Sequence, residues 1–257
     1  MAQLSVNLNK IAVVRNSRGG HRPSVVDAAK TVITAGAYGV TVHPRPDQRH
    51  IRPDDVANLA KLLNDDYPGV EFNIEGNPHA PATTTGYPGM DSLIEHARPA
   101  QATLVPDSDA QLTSDHGWDL TQFNEPLARS IERYQQWGAR VSLFMDPDPE
   151  LIAQAKAHGA DRVELYTGPF AQTVWQYGLT HARSIASFEL FQSAARYASQ
   201  IGLGVNAGHD LDQQNLRLFR DIKEVDEVSI GHALISDALE SGLSDTVRAY
   251  LQVLAGS

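Results

Sequence analysis

The chain has 257 residues, 42% of them hydrophobic and 20% charged, with no cysteine; this is the make-up of one globular domain, 1–257, with a large core. The absence of thiols excludes disulfides, thiolate nucleophiles and cysteine-held metals. No run of about 18 apolar residues suggests a membrane span. The start, MAQLSVNLNK, lacks a basic segment followed by an apolar stretch, so the expected location is cytoplasmic. A net charge of −10 speaks against nucleic acid as the partner. Residues 1–52 nevertheless carry eight Lys/Arg against Asp27 and Asp47, so within the total of −10 this segment is +6 and the remainder −16. Clustered arginines in an acidic protein suit a small anion, because guanidinium grips phosphate bidentately; a solvated basic face is the plainer alternative.

In chain order, short β-branched runs alternate with longer amphipathic stretches. Strands are expected at 4–8, 39–43, 71–75, 102–106, 140–145, 162–167, 203–208 and 227–231. Helices are expected near 24–35, 53–65, 89–97, 122–137, 149–158, 183–201, 212–222 and 233–254. Gly36, Gly138 and Gly159 mark helix stops. Ser24 with Asp27, and Asp148 before Pro149, mark helix starts. Eightfold strand–helix alternation predicts an α/β fold, a single (β/α)8 TIM barrel with short extra helices. Neither GxGxxG nor GxxxxGK[ST] occurs, which removes the main support for a dinucleotide or P-loop fold.

Barrel chemistry sits at the carboxyl ends of the strands. Those ends here carry Asn7, Asn9 and Lys10; His43, Arg45 and His50; Glu75; Asp107 and Thr113; Asp146; Glu164; Asn206 to His209; and Gly231 with His232. Singly, each has a bland reading. A strand-end histidine can be structural, and Glu164 shares a face with Arg162, so the two could simply form an ion pair. Together they point to acid–base chemistry on a small phosphorylated substrate, with no cofactor motif. A metal-dependent barrel hydrolase or epimerase using His43, Glu75, Glu164 and His209 as ligands is a second reading, although HxH and HExxH spacings are absent. A non-catalytic barrel that binds a phosphorylated metabolite is a third.

The stretches NLNKIAVVRNSRGG (7–20), TVHPRPDQRHI (41–51), FNIEGNP (72–78), TLVPD (103–107), VELYTGP (163–169), GVNAGHDL (204–211) and SIGHALI (229–235) span nearly the whole chain. Taken together, they resemble the pyridoxine 5′-phosphate synthase family. The resemblance implies a cofactor-free, metal-free condensation of 3-amino-2-oxopropyl phosphate with 1-deoxy-D-xylulose 5-phosphate, releasing phosphate and water as a pyridine ring closes. It implies general bases at His43 and Glu75, a general acid at His209, and charge stabilisation by Glu164. Arg18, Gly231 and His232 would hold the amino-ketone phosphate; Arg45, His50 and Thr113 would hold the deoxyxylulose phosphate. Asn7, Asn9, Lys10 and Asp210 complete the expected substrate contacts. Loop 107–118 would be a lid and the assembly a homo-octamer. Three positions depart from the usual pattern. Asn9-Lys10 stands where Asp-His is common, although a branch of the family carries Asn-Lys, and Asp210 stands where glycine is usual. Segment 79–89 reads as an insertion after the third strand, either a flap or an inert loop.

Overall fold

Within the strands, every second residue is apolar, and the two faces thereby created meet different surroundings. The computed structural model, describing residues 1–108 and 110–256, closes these strands into a parallel barrel in which each pairs with its neighbours in order and β1 pairs with β8. Asp109, inside the expected lid, and Ser257 lie outside the described residues.

The first half runs β1 (Gln3–Asn7), α1 (Asn9–Asn16), α2 (Val25–Thr34), β2 (Gly39–Val42), α3 (Pro53–Asp66), β3 (Glu71–Gly76), α4 (Met90–Ala97) and β4 (Gln101–Leu104). The second runs α5 (Glu125–Gln136), β5 (Arg140–Met145), α6 (Pro149–Ala157), β6 (Arg162–Tyr166), α7 (Gly168–Tyr177), α8 (Ala182–Gln200), β7 (Gly204–Gly208), α9 (Leu216–Phe219), β8 (Glu227–Ile230), α10 (His232–Ser241) and α11 (Leu243–Ala255).

The expected helix signals operate as read. Ser24 Oγ accepts from the Asp27 amide at 3.1 Å, and Asp148 Oδ1 accepts from the Glu150 amide at 2.8 Å, with Pro149 in the first turn. Gly36, Gly138 and Gly159 all take positive φ after their helices. The differences lie in the added helices. α1 and α7 are present where the sequence suggested only loop, the expected 212–222 helix shrinks to α9, and the expected 233–254 helix is two helices broken at Gly242, whose φ is +80°. Among the described residues no helix is long and apolar enough to cross a membrane.

Successive strand residues point to opposite faces. Leu4, Val6, Val40, Val42, Ile74, Leu104, Val141, Leu143, Val163 and Leu165 are fully buried on the face that packs against the helices. The inner face is polar, unlike the branched apolar filling usual for such barrels. Ser5 and Thr41 share a hydrogen bond of 2.7 Å. Asn73 donates to Thr41 at 3.4 Å and accepts from Thr103 at 3.1 Å. Arg162 donates to Asn206 Oδ1 at 2.8 Å and to Asp226 at 3.0 Å, so the ion pair it could have made with Glu164 is not formed. Arg140 donates to the buried Glu71 at 2.6 Å. A polar interior that is hydrogen-bonded in this way avoids most of the cost of burying such groups, and it delivers carboxylates and amides to the barrel mouth.

Candidate active site

A cavity of about 390 Å³ opens at the carboxyl ends of the strands. Eleven of the fourteen sequence-predicted site residues line it: Asn7, Asn9, Lys10, His43, Glu75, Thr113, Glu164, His209, Asp210, Gly231 and His232. Val105, Leu112, Ser114, Phe144 and Ser229 complete its wall. The structure does not bring Arg18, Arg45 or His50 onto it. Arg18 is exposed in the turn after α1. The Arg45 guanidinium is occupied by the Asp107 carboxylate and, at 2.8 Å, by the Gln111 carbonyl. His50 is buried behind the wall, its Nδ1 accepting from the Ile51 amide at 2.9 Å and its ring 6.1 Å from that of His43.

Local hydrogen bonds build one side of the cavity from β1 outward. Asn7 Oδ1 accepts from the Asn9 amide at 3.0 Å, and Asn7 Nδ2 donates to Glu75 Oε2 at 3.2 Å. Asn9 Oδ1 accepts from the His43 amide at 2.9 Å. Asn7 and Asn9 thus fix the strand ends that carry the two expected bases. His43 sits between two carboxylates, its Nδ1 3.8 Å from Glu75 Oε2 and its Nε2 3.7 Å from Asp107 Oδ2. These separations exceed hydrogen-bond length, so the ring is flanked rather than bound.

Burial dominates the protonation of this side. It pushes His43 down to about 4, against the opposing pull of Asp107 and with help from Arg45, so the imidazole is neutral and able to accept a proton. It pushes Glu75 up to about 8, reinforced by Asp107 and opposed by the Asn7 hydrogen bond. Glu164 is held well above the ordinary carboxyl range, first by burial and then by Glu75 and Glu227. Its buried Oε2 has no hydrogen-bond partner among the described residues, which leaves it available to a ligand. Space for this side chain depends on Gly208, where an added Cβ would lie 2.4 Å from Glu164 Oε1. Lys10, half-buried at the wall, is lowered by burial, with Asp210 opposing.

The opposite side is built by the β7 end and the loop after β4. Thr113 Oγ1 lies 2.8 Å from His209 Nε2, and His209 Nδ1 lies 3.1 Å from Asp210 Oδ2. Arg49 donates to the Gln111 and Leu112 carbonyls at 2.9 and 3.2 Å, while Ser114 donates to Asp107 at 2.9 Å. The described part of loop 107–118 is therefore held across the mouth by Arg45, Arg49 and His209. Much of the basic N-terminal segment is used inside the molecule in this way. Arg15 is buried against Asp55, with a 2.9 Å bond from Nη2, and Arg49 pairs with Asp47 at 2.6 Å. Sequence reasoning placed Asp107 only at a strand end; its role as the hub joining Arg45, Ser114 and the His43 edge has no signal in spacing. Segment 79–89 is anchored by the buried Tyr87, whose carbonyl accepts from the Thr83 amide at 2.8 Å.

Among the described residues no group of three or more His, Asp or Glu side chains converges as a metal site requires. The match to known families is extensive. The family model described as "Pyridoxal phosphate biosynthesis protein PdxJ" matches residues 4–256. The chain belongs to the PdxJ family. The pyridoxine 5′-phosphate synthase of Xanthomonas campestris pv. campestris (strain B100) is 57% identical over 254 residues, covering 98% of this chain and 96% of that protein. That of Xylella fastidiosa (strain 9a5c) is 54% identical over 254 residues, covering 98% and 94%. The PdxJ-family chain is thus an enzyme of pyridoxine biosynthesis. Its barrel is also similar to the solved 3-hexulose-6-phosphate synthase of Salmonella typhimurium, with a TM-score of 0.60 and 98% of each chain covered at 14% identity; that likeness concerns the fold alone.

Proposed function

We propose that this PdxJ-family protein condenses 3-amino-2-oxopropyl phosphate with 1-deoxy-D-xylulose 5-phosphate to pyridoxine 5′-phosphate, phosphate and water, passing through imine intermediates. The observation that carries the reading is the convergence of His43, Glu75, Glu164 and His209 on one cavity of about 390 Å³. Joining an amine to a ketone and then eliminating water and phosphate requires protons to be removed and returned repeatedly, which several carriers around one cavity can do. Neutral His43 serves as one base and Glu75, once ionised, as another. His209 returns protons from the facing side. Glu164 stabilises developing charge through its unpartnered oxygen. Gly231 and His232 offer contacts to the amino-ketone phosphate, and Thr113, Asn9 and Lys10 to the deoxyxylulose phosphate. Arg45 and His50 stand behind the wall and reach a phosphate only if it displaces the Gln111 carbonyl and Asp107 from Arg45. Arg18 joins the site only if the turn after α1 folds toward the mouth. The loop over the mouth limits water, which protects imines from hydrolysis.

The test is an assay of purified, chelator-treated protein with both substrates, following pyridoxine 5′-phosphate and inorganic phosphate together. Equal formation of both without added metal is the expected result; formation of neither, or only after metal is restored, overturns the reading. His43→Ala and Glu75→Gln should each abolish turnover while circular dichroism shows the fold intact. The resemblance also implies a homo-octamer, checked by light scattering.

A further inference from the structure

The side chain of Asp210 points at a histidine as well as at the cavity, and this bears on which nitrogen of His209 does chemistry. Both ring nitrogens of His209 are engaged: Nδ1 lies 3.1 Å from Asp210 Oδ2, and Nε2 lies 2.8 Å from Thr113 Oγ1. The ring is also packed edge-on against Tyr166, with centroids 5.2 Å apart and planes at 77°. The backbone beneath is fixed from both ends. The Thr167 hydroxyl donates to the Gly208 and His209 carbonyls, and Asn215 Nδ2 donates to the Asp210 carbonyl at 3.0 Å. His209 and Asp210 take consecutive left-handed conformations, with φ of +89° and +60°, and this pair of turns swings the carboxylate back beside the preceding ring.

An ionised carboxylate only accepts hydrogen bonds. The hydrogen bond from His209 holds Asp210 below the usual carboxylate range, against the effect of burial. The nitrogen facing it must therefore carry the hydrogen in the neutral ring, leaving Nε2 with its lone pair toward the cavity and the Thr113 hydroxyl. We infer that Asp210 is a positioning residue, fixing His209 in the Nδ1–H tautomer so that Nε2 is the atom that accepts and returns protons at the cavity. This inference rests on the proposed role of His209 as a proton carrier and adds a requirement for its tautomer and orientation.

Asp210→Gly and Asp210→Asn test it, since glycine and asparagine are the residues that best tolerate the left-handed backbone at 210. The first readout needs no substrate. Long-range ¹H–¹⁵N spectra of the imidazoles, with His209 assigned by a His209→Gln variant, should show the Nδ1–H form in the parent and its loss in Asp210→Gly. The second readout is kinetic. Asp210→Gly should lower kcat about tenfold or more, as loss of an orienting partner commonly does, with KM for both substrates within about twofold. Asp210→Asn, which keeps an acceptor oxygen, should recover part of kcat. An unchanged His209 tautomer in Asp210→Gly overturns the inference, as does a rise in KM with kcat preserved, which would make Asp210 a substrate contact. A parent protein with the predicted tautomer but no synthase activity would instead count against the proposed reaction.

Discussion

Glu75 and His43 face one cavity but release their protons about four pH units apart, Glu75 near 8 and His43 near 4. At neutral pH the histidine is ready to act as a base, whereas most Glu75 still holds its proton. If Glu75 must be ionised to react, kcat/KM should rise about tenfold per pH unit below pH 8 and level off above it. A pH–rate profile flat from 6 to 9 would remove the Glu75 proton from the rate law. The same shift has a consequence for stability. The folded value is raised above the ordinary 4.5, so the folded state keeps a proton that the unfolded chain gives up. The associated stability is present at acid pH and is lost as pH climbs from about 4.5 through about 8. Glu75→Gln has no such loss. Its melting temperature should draw ahead of the parent's as pH rises through this window, the gap reaching the equivalent of roughly a few kcal/mol by about pH 8. A parent that melts no differently between pH 5 and 9 would contradict this. The variant that ends catalysis is thus expected to be the more stable protein in alkali.

At the scale of elements, β6 and β7 show how tightly the site depends on backbone placement. Gly208 in β7 pairs with Tyr166 in β6, and its missing side chain is the space Glu164 occupies. Gly208→Ala should push the Glu164 carboxyl aside by about 1 Å, a displacement that can cost about a hundredfold in turnover; circular dichroism should report a folded protein, and full activity would show that the position of Glu164 is irrelevant. Much of this layout was legible in the sequence. Each of the eight strands was placed within about two residues at either end, because four to six alternating residues bounded by turn signals leave few other choices. Reading the strand ends together picked out ten of the eleven predicted residues that line the cavity, and Asp210 came from the family resemblance. The added helices were less legible. The sequence places no helix between the sixth strand and residue 183, yet Pro169 occupies the first turn of α7, where its missing N–H costs nothing. In α1, Val13 and Val14 are partly exposed, so the apolar residues do not make one stripe. The periodicity through 233–254 runs on across Gly242, and only its backbone angle separates α10 from α11. The tethering of Arg45, Arg49 and Asp107 had no sequence signal at all, because it depends on where a loop of β4 lands relative to one of β2.

At the scale of the whole molecule, the basic segment at the N-terminus serves two ends. Arg15, Arg45 and Arg49 are partnered internally, so the charge surplus that suggested a phosphate-binding surface is partly spent on tethering the loop after β4 beside the cavity. The polar filling of the barrel extends this inward from the mouth: serine, threonine, asparagine, glutamate and arginine occupy positions that elsewhere hold branched hydrocarbons. Unfolding would therefore expose a larger share of polar surface than is usual for a chain of this length. Hydrating polar surface lowers the heat capacity, whereas hydrating apolar surface raises it. A chain of 257 residues would ordinarily show a heat-capacity increment of roughly 3 to 4 kcal/mol/K. Calorimetry on this protein should give a value at or below the lower end of that range, and an increment at the upper end would mean that the helix–sheet interface outweighs the interior. With a small increment, the free energy of folding curves gently with temperature, so a barrel filled for chemistry should hold a nearly even stability from cold to warm.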